Sequence, residues 1–329
     1  MKNLSMVDAL GEAVVEEMTR DGRIVYYGED VAVQSNWGIS VKAWKKFGNL
    51  DVNQSRVLDT SISETAIVGS AVGAAITGLR PIIEIMFVDF AGVAMDEIVN
   101  QAAKARYMFG GKAKVPVTML MTCGGGQGAA AQHSQCLEAW FLHVPGLKVV
   151  APSTPADAKA LLKAAIRDDD PVIFLIHHML MNVIGPVPDG ETIFPLGTAK
   201  VKRTGKDVTV VATMAMIPKA LSASKILAKE GIEVEVIDPC SLFPLDKKTI
   251  LDSVRKTGRV VIAEEACRRG GFNAELSALI VDETFSNLKA APIRIGALET
   301  PIPCNPVLES YVLPGENDII QAIRKAFNH

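Results

Sequence analysis

Short, unbroken apolar runs alternate with helical periodicity through the first half of the chain. The runs at 24–27, 81–86, 115–121, 147–151 and 172–175 read as strands, and residues 56–60 form one more strand-like stretch. Helical periodicity starts at Glu64, spans 91–108, and spans 155–166. The last of these opens on Thr154, Pro155 and Asp157, which supply the cap, the first-turn proline and the first-turn acid. Ser5-Met6-Val7-Asp8 is a similar opening and predicts a helix through Met18. Continuous apolar strands separated by helices predict a parallel sheet covered on both faces.

Gly185-Pro186-Val187-Pro188-Asp189-Gly190 interrupts the pattern and is expected to continue neither element, opening a linker that ends near Gly197. The alternation then restarts. Strands are expected at 208–212, at 234–237, at 260–263 and around Ile293 and Ile295. Helices are expected after Met214, at 246–254, from Phe272, and at 317–327. The fold class is therefore α/β with two domains, residues 1–184 and 198–329, joined by a linker at 185–197.

The chain has 329 residues, 49% of them apolar, enough for two cores. Its net charge of −3 comes from interspersed signs, and no basic stripe points to nucleic acid. Five well-separated cysteines (Cys123, Cys136, Cys240, Cys267 and Cys304) read as reduced thiols. No apolar run reaches membrane-spanning length, and the expected location is the cytoplasm.

Glu64 stands at the head of a helix carrying Gly69, Gly73 and Ala74, where another backbone can approach closely. A carboxylate in such a desolvated place can gain proton affinity and relay protons. The plainer reading is an acid favourably placed on a helix dipole. Phe87-Val88-Asp89-Phe90 falls between a strand and a helix, at the carboxyl edge where open sheets bind ligands. His133, within Gln132-His133-Ser134-Gln135, is an acid/base candidate, or a structural histidine. Cys123-Gly124-Gly125-Gly126-Gln127-Gly128 has neither a dinucleotide-loop order nor a phosphate-loop lysine, so close approach to a ligand or a subunit is the better reading. Adjacent His177 and His178 are expected to point to opposite faces, and no sequence spacing suggests zinc.

Several spaced motifs occur in order: Gly28-Glu29-Asp30, the segment from Asp59 to Glu64, Gly78-Leu79-Arg80-Pro81, Asn100 to Lys104 with Tyr107-Met108, Gln132 to Gln135, Pro145 to Ser153, and Asp168-Asp169-Asp170-Pro171. Glu264-Glu265 to Gly270-Gly271 and a tail from Pro301 to Pro314 follow. Together they resemble, end to end, the beta subunit of the thiamin-diphosphate-dependent E1 component of 2-oxo acid and acetoin dehydrogenases. The resemblance implies a pyrimidine-type thiamin-binding domain followed by a transketolase C-terminal-like domain. It also implies roles for residues. Glu64 would bond N1' of the aminopyrimidine, Phe90 would pack on that ring, Ile62 would lie near it, and His133 would sit in the channel by the thiazolium. The carbonyls of Val117, Ala165 and Asp168, with Asp170, would correspond to a structural monovalent-cation site, potassium being the implied ion.

The Gly-Asp-Gly segment that holds diphosphate and Mg²⁺ in this superfamily is missing. In the resembled family it lies on an alpha subunit, so the resemblance implies an α2β2 heterotetramer with a shared cofactor site, contacted through the small-residue helix after Glu64. It also implies an E2 acyltransferase whose lipoyl domain receives the acyl unit from a 2-oxo acid or acetoin. The sequence departs from the family pattern at 33–37 and at Met121 and Ile176, where relatives often carry glycines, arginine and glutamate. One rival is a split transketolase-like enzyme that passes a ketol unit to an aldose, with Arg80, Arg106, Arg268 and Arg269 as candidate substrate contacts. The other is a noncatalytic scaffold for an alpha partner, which would not need Glu64, Phe90 and His133 together.

Overall fold

The computed structural model describes residues 1–33 and 35–328, so Gln34, within the departing 33–37 stretch, lies outside the described residues. The chain divides into two compact units. One comprises Met1–Cys123 with Trp140–Leu196; the other comprises Gly124–Ala139 with the chain from Gly197 onward.

In chain order the elements up to the second restart are β1 (Lys2–Ser5), α1 (Met6–Arg20), β2 (Ile24–Gly28), α2 (Val41–Phe47), β3 (Val57–Asp59), α3 (Glu64–Ile76), β4 (Arg80–Ile85), α4 (Ala103–Met108), β5 (Thr118–Cys123), α5 (Glu138–Leu142), β6 (Lys148–Val150), α6 (Pro155–Arg167), β7 (Val172–His177) and β8 (Ile184–Val187). Six strands of the first unit run parallel in the order β6-β7-β5-β4-β2-β3. Every residue of β4, β5 and β7 is buried, which is why these strands read as continuous apolar runs rather than alternating ones. Ser5 caps α1 by accepting from the Asp8 N–H at 3.0 Å, and Thr154 caps α6 in the same way. The two helices are laced together by Lys159 with Glu12 and Glu16, Lys163 with Glu16, and Arg167 with Glu17. Gly146 is required twice over: its φ is +106°, and a Cβ there would lie 2.0 Å from the Ala103 carbonyl oxygen.

Three expectations change. Residues 184–187 are not structureless, because β8 pairs antiparallel with β1, with Pro186 opposite Asn3. A two-stranded ribbon has only edges, where a missing N–H is tolerated. The helix expected over 91–108 is broken into a 3₁₀ turn at Val88–Gly92, a π-helical turn at Glu97–Ala102, and then α4. His177 and His178 do not point apart. The strand ends at His177 and a 3₁₀ turn begins, leaving the two buried rings edge to face with centroids 5.4 Å apart.

The second unit contains β9 (Lys200–Arg203), β10 (Val208–Ala212), α7 (Met216–Ala228), β11 (Val234–Asp238), β12 (Ser241–Phe243), α8 (Lys247–Thr257), β13 (Val260–Cys267), α9 (Phe272–Thr284), β14 (Ile293–Ala297), α10 (Pro306–Val312) and α11 (Glu316–Phe327). Five of its strands form a sheet ordered β14-β13-β10-β11-β9, parallel except for β9. Val210, Val236 and Val261 of this sheet pack with Leu227 of α7 and Ile319 and Ile323 of α11 in one core cluster. The pairing of β13 with β14 slips between Ala263 and Cys267, and Glu264 and Glu265 lie in that irregular stretch.

Candidate active site

Neighbouring strands β2 and β3 set Gly28 opposite Asp59, so the chain leaves both at one edge of the sheet. The Asp59 carboxylate accepts the N–H groups of Val31 and Ala32, each at 2.7 Å, and Thr60 N–H donates to the Gly28 carbonyl at 2.9 Å. These bonds hold the turn bearing Glu29, in which Asp30 takes a φ of +50°. Just beyond, Ser63 caps α3 and Glu64 is its first residue. Glu64 is 8% exposed, and among the described residues nothing hydrogen-bonds its carboxylate. Burial, the Glu64 charge and Asp30 together push the Glu29 carboxyl above the usual glutamate range. Ile62, by contrast, is 84% exposed.

From the end of β4 the chain passes directly into Phe87 and the 3₁₀ turn containing Phe90. Phe90 meets Phe87 edge-on at 5.7 Å, and Phe87 meets Trp37 edge-on at 5.3 Å. Trp37 Nε1–H donates to the Met86 carbonyl at 3.1 Å, and the Thr122 hydroxyl donates to the same carbonyl. The departing 33–37 stretch thus supplies the outer member of an aromatic row. Thr65 Oγ1 donates to the Val93 carbonyl at 2.9 Å, tying the first turn of α3 to the segment after Phe90.

His133 lies in the second unit, on the segment Gly124–Ala139. Its N–H closes a turn onto the Ala130 carbonyl at 3.3 Å, while Gly124 N–H donates to the Gln135 carbonyl at 3.0 Å and joins the two arms of the loop. The glycines approach the protein's own acids. Gly125 N–H donates to Glu265 Oε1 at 2.6 Å, and Gly126 and Gly128 N–H donate to the two oxygens of Glu309 at 2.7 and 2.9 Å.

Val117, Ala165, Asp168 and Asp170 gather around the C-terminal end of α6. The Val117 carbonyl accepts from Val172 N–H at 2.9 Å and the Ala165 carbonyl from Asp168 N–H at 3.2 Å. Arg80, 7% exposed, donates to the Asp168 carbonyl, to the Ile166 carbonyl at 3.0 Å and to the Asp169 carboxylate at 3.0 Å. Lys148 bonds both oxygens of the Asp168 carboxylate at 2.7 Å and approaches Asp170 at 3.2 Å, while Arg106 pairs with Asp170. Burial raises the Asp170 carboxyl, but hydrogen bonds from Arg106 and Lys148 outweigh it and hold the group below its usual range.

Residues 2–183 match the transketolase pyrimidine-binding domain family, and residues 197–319 match the transketolase C-terminal domain family. The acetoin:2,6-dichlorophenolindophenol oxidoreductase beta subunit of Cupriavidus necator is 46% identical, over 98% of this chain and 97% of its own length. This chain belongs to the transketolase-like E1 beta-subunit family. The corresponding Bacillus subtilis subunit is also 46% identical, with 96% and 95% of the two chains covered. The mitochondrial pyruvate dehydrogenase E1 component beta subunit of Drosophila melanogaster is 42% identical, over 98% of this chain and 89% of that one. A solved structure titled split gene transketolase, inactive beta4 tetramer, superposes with a TM-score of 0.78 at 28% identity, covering 99% and 98% of the two chains. Thiamin diphosphate is the cofactor of the family. Among the described residues no helix is long and apolar enough to cross a membrane.

The sequence singled out Glu64, Phe90 and His133 as candidates; it did not show Glu29 as the neighbour of Glu64, the Trp37–Phe87 row, or Glu309 with Glu265 bonded to the glycine loop. A Gly-Glu-Asp motif ending one strand, beside an Asp ending the next, was the available signal for the first. For Glu309, remote in sequence, no local signal exists.

Proposed function

We propose that this chain is the beta half of an acetoin- or pyruvate-type dehydrogenase E1, acting on acetoin or a 2-oxo acid and passing the acyl unit to the lipoyl group of an E2 acyltransferase. The observation that supports this reading best is the Glu64 carboxylate, buried at the head of α3 without a hydrogen-bond partner among the described residues. A carboxylate held in a mostly buried side chain with no internal partner is open to a donor from a ligand, and a protonated ring nitrogen is such a donor. When bound, thiamin diphosphate supplies an electron sink for cleavage of the bond next to the carbonyl.

The chain's own residues have narrower tasks. Glu64 holds and exchanges a proton at N1' of the aminopyrimidine. Phe90, backed by Phe87 and Trp37, gives a planar apolar wall, with Ile62 at the pyrimidine edge. His133 moves a proton near the reacting carbon. Diphosphate and Mg²⁺ fall to the alpha subunit in an α2β2 assembly located in the cytoplasm. The exposed Ile62, Ile76, Val93, Tyr107, Met108 and Phe109 supply apolar area for that contact. Val117, Ala165, Asp168 and Asp170 offer only oxygen ligands, and each carbonyl keeps a lone pair beyond its present bond. That donor set suits a structural monovalent cation such as K⁺.

The rival ketol transfer to an aldose would use arginines on the substrate. Arg80 is committed to the carbonyls at the end of α6, and Arg106 to Asp170, which leaves the rival weaker. The test is calorimetry with thiamin diphosphate and Mg²⁺ on this chain alone and on its complex with an alpha subunit, followed by turnover with acetoin, pyruvate and branched 2-oxo acids. Tight binding only in the complex and acyl transfer to a lipoyl domain support the reading. Equally tight binding by the chain alone, or transfer to an aldose, overturns it.

A further inference from the structure

Backbone N–H groups converging from a glycine-rich turn make a concavity that binds anions. In this protein the anion is supplied internally. Glu309, on α10, is 3% exposed, and its two carboxylate oxygens accept from Gly126 and Gly128; Glu265, 7% exposed in the irregular part of β13, accepts from Gly125. Glu309 is itself fixed by its own N–H bonding to the Asn305 carbonyl at 2.8 Å, and by Asn305 capping α10. The glycines fit this close seat, since a Cβ on Gly125 would meet Leu313 Cδ1 at 2.6 Å, and Gly128 has a φ of +69°.

The other arm of the loop borders open space. Ala131, Ser134 and Gln135 border a cavity of about 480 Å³, shared with Glu265, Arg269 and Pro301. Packing leaves space beside that arm, so the bonds that fix the glycine half of the loop bear on its position. The route is continuous. The carboxylates hold Gly125, Gly126 and Gly128, the Gly124–Gln135 bond joins the arms, and the Ala130–His133 turn sets the histidine.

We propose that Glu309, assisted by Glu265, is the positioning residue for His133, using the glycine loop's backbone donors to set where the imidazole is presented. The inference rests on the catalytic reading of His133. A carboxylate suits this task better than a neutral side chain, because a charged acceptor makes shorter and stronger bonds to N–H groups and serves two donors at once.

The experiment uses the assembled alpha–beta complex carrying Glu309→Gln, Glu309→Ala, His133→Ala, and Glu309→Ala with His133→Ala. Hydrogen exchange read by mass spectrometry reports the loop directly. The amides of 124–136 are expected to exchange at least about tenfold faster in Glu309→Gln, which keeps only one of the two acceptor oxygens. Unchanged exchange overturns the inference whatever His133 does. Displacing a catalytic group by about 1 Å can cost on the order of 100-fold in rate. Glu309→Ala is therefore expected to lower kcat for acyl transfer about 10- to 100-fold, with Glu309→Gln intermediate and KM and thiamin diphosphate affinity changed less than about twofold. The double variant should be no slower than His133→Ala. Normal kcat in Glu309→Gln and Glu309→Ala beside a crippled His133→Ala, or losses that multiply in the double variant, overturns the inference and leaves the His133 reading intact. Normal turnover in His133→Ala instead removes the reading beneath it. If Glu309→Ala does not assemble, Glu309→Gln decides by the same exchange and rate criteria.

Discussion

The Glu64 carboxylate acts as a like charge on Glu29 at the edge of the first unit's sheet. Burial and then the Glu64 carboxylate hold the proton on Glu29 above its usual range. Substituting Glu64→Gln removes the like charge, so Glu29 should titrate at lower pH. Carbon-13 carboxyl spectra across a pH series read this directly, and an unmoved Glu29 would show that burial and Asp30 set its value without Glu64. The same variant tests the catalytic assignment. Turnover of the complex should fall about 100- to 10,000-fold, the usual range for a lost proton-transfer group, with a smaller change in cofactor affinity. Near-normal turnover would remove Glu64 from the mechanism.

Tyr26 and Glu84 give a pH signature in stability. Tyr26 is fully buried and donates to Glu84, whose carboxyl is pushed up to about 7 by burial against the lowering effect of that bond. A folded-state value above the unfolded one means that the native protein binds the extra proton. The associated stability is therefore complete below about pH 4.5 and is lost as pH rises through about 7. The span corresponds to roughly 3 kcal/mol. Glu84→Gln should remove this slope, so that the wild type loses stability relative to the variant between these two pH values. Parallel denaturant midpoints for the two proteins across that window would refute it.

Arg80 is the only described donor to the Ile166 carbonyl beyond α6 and also serves the Asp168 carbonyl and Asp169. Arg80→Met keeps the stem but leaves buried acceptors unmet, and it should cost about 2–3 kcal/mol. Urea unfolding measures this. A shift below about 0.5 kcal/mol would mean that water replaces the guanidinium without penalty.

If Val117, Ala165, Asp168 and Asp170 hold a monovalent cation, Tm should rise with K⁺ relative to choline at equal ionic strength. Asp170→Ala should flatten that dependence. Equal melting in both salts would argue that Lys148 and Arg106 already complete this cluster.

Local structure was legible where residues close in sequence decide it. Thr154, Pro155 and Asp157 start α6, and Ser5 with Asp8 starts α1, because capping acts over three residues. The fully buried strands showed themselves as apolar runs. The 91–108 stretch misled because helical periodicity does not distinguish α from 3₁₀ and π turns. β8 was hidden because its partner, β1, lies at the other end of the first unit.

By itself the sequence determined the α/β class, two successive alternations of strand and helix, most of the buried strands, and the local settings of Glu64 at a helix start, Phe90 after a strand and His133 beyond a glycine loop. Those follow from short-range periodicity, capping and turn chemistry. Only the tertiary structure decided that Glu29 faces Glu64, that Trp37 and Phe87 extend from Phe90, and that Glu265 and Glu309 hold the loop of His133. Glu309 lies 181 residues from Gly128, and a hydrogen bond over that separation leaves no periodic trace. It arises when the sheet and helices of the second unit have packed and buried both partners.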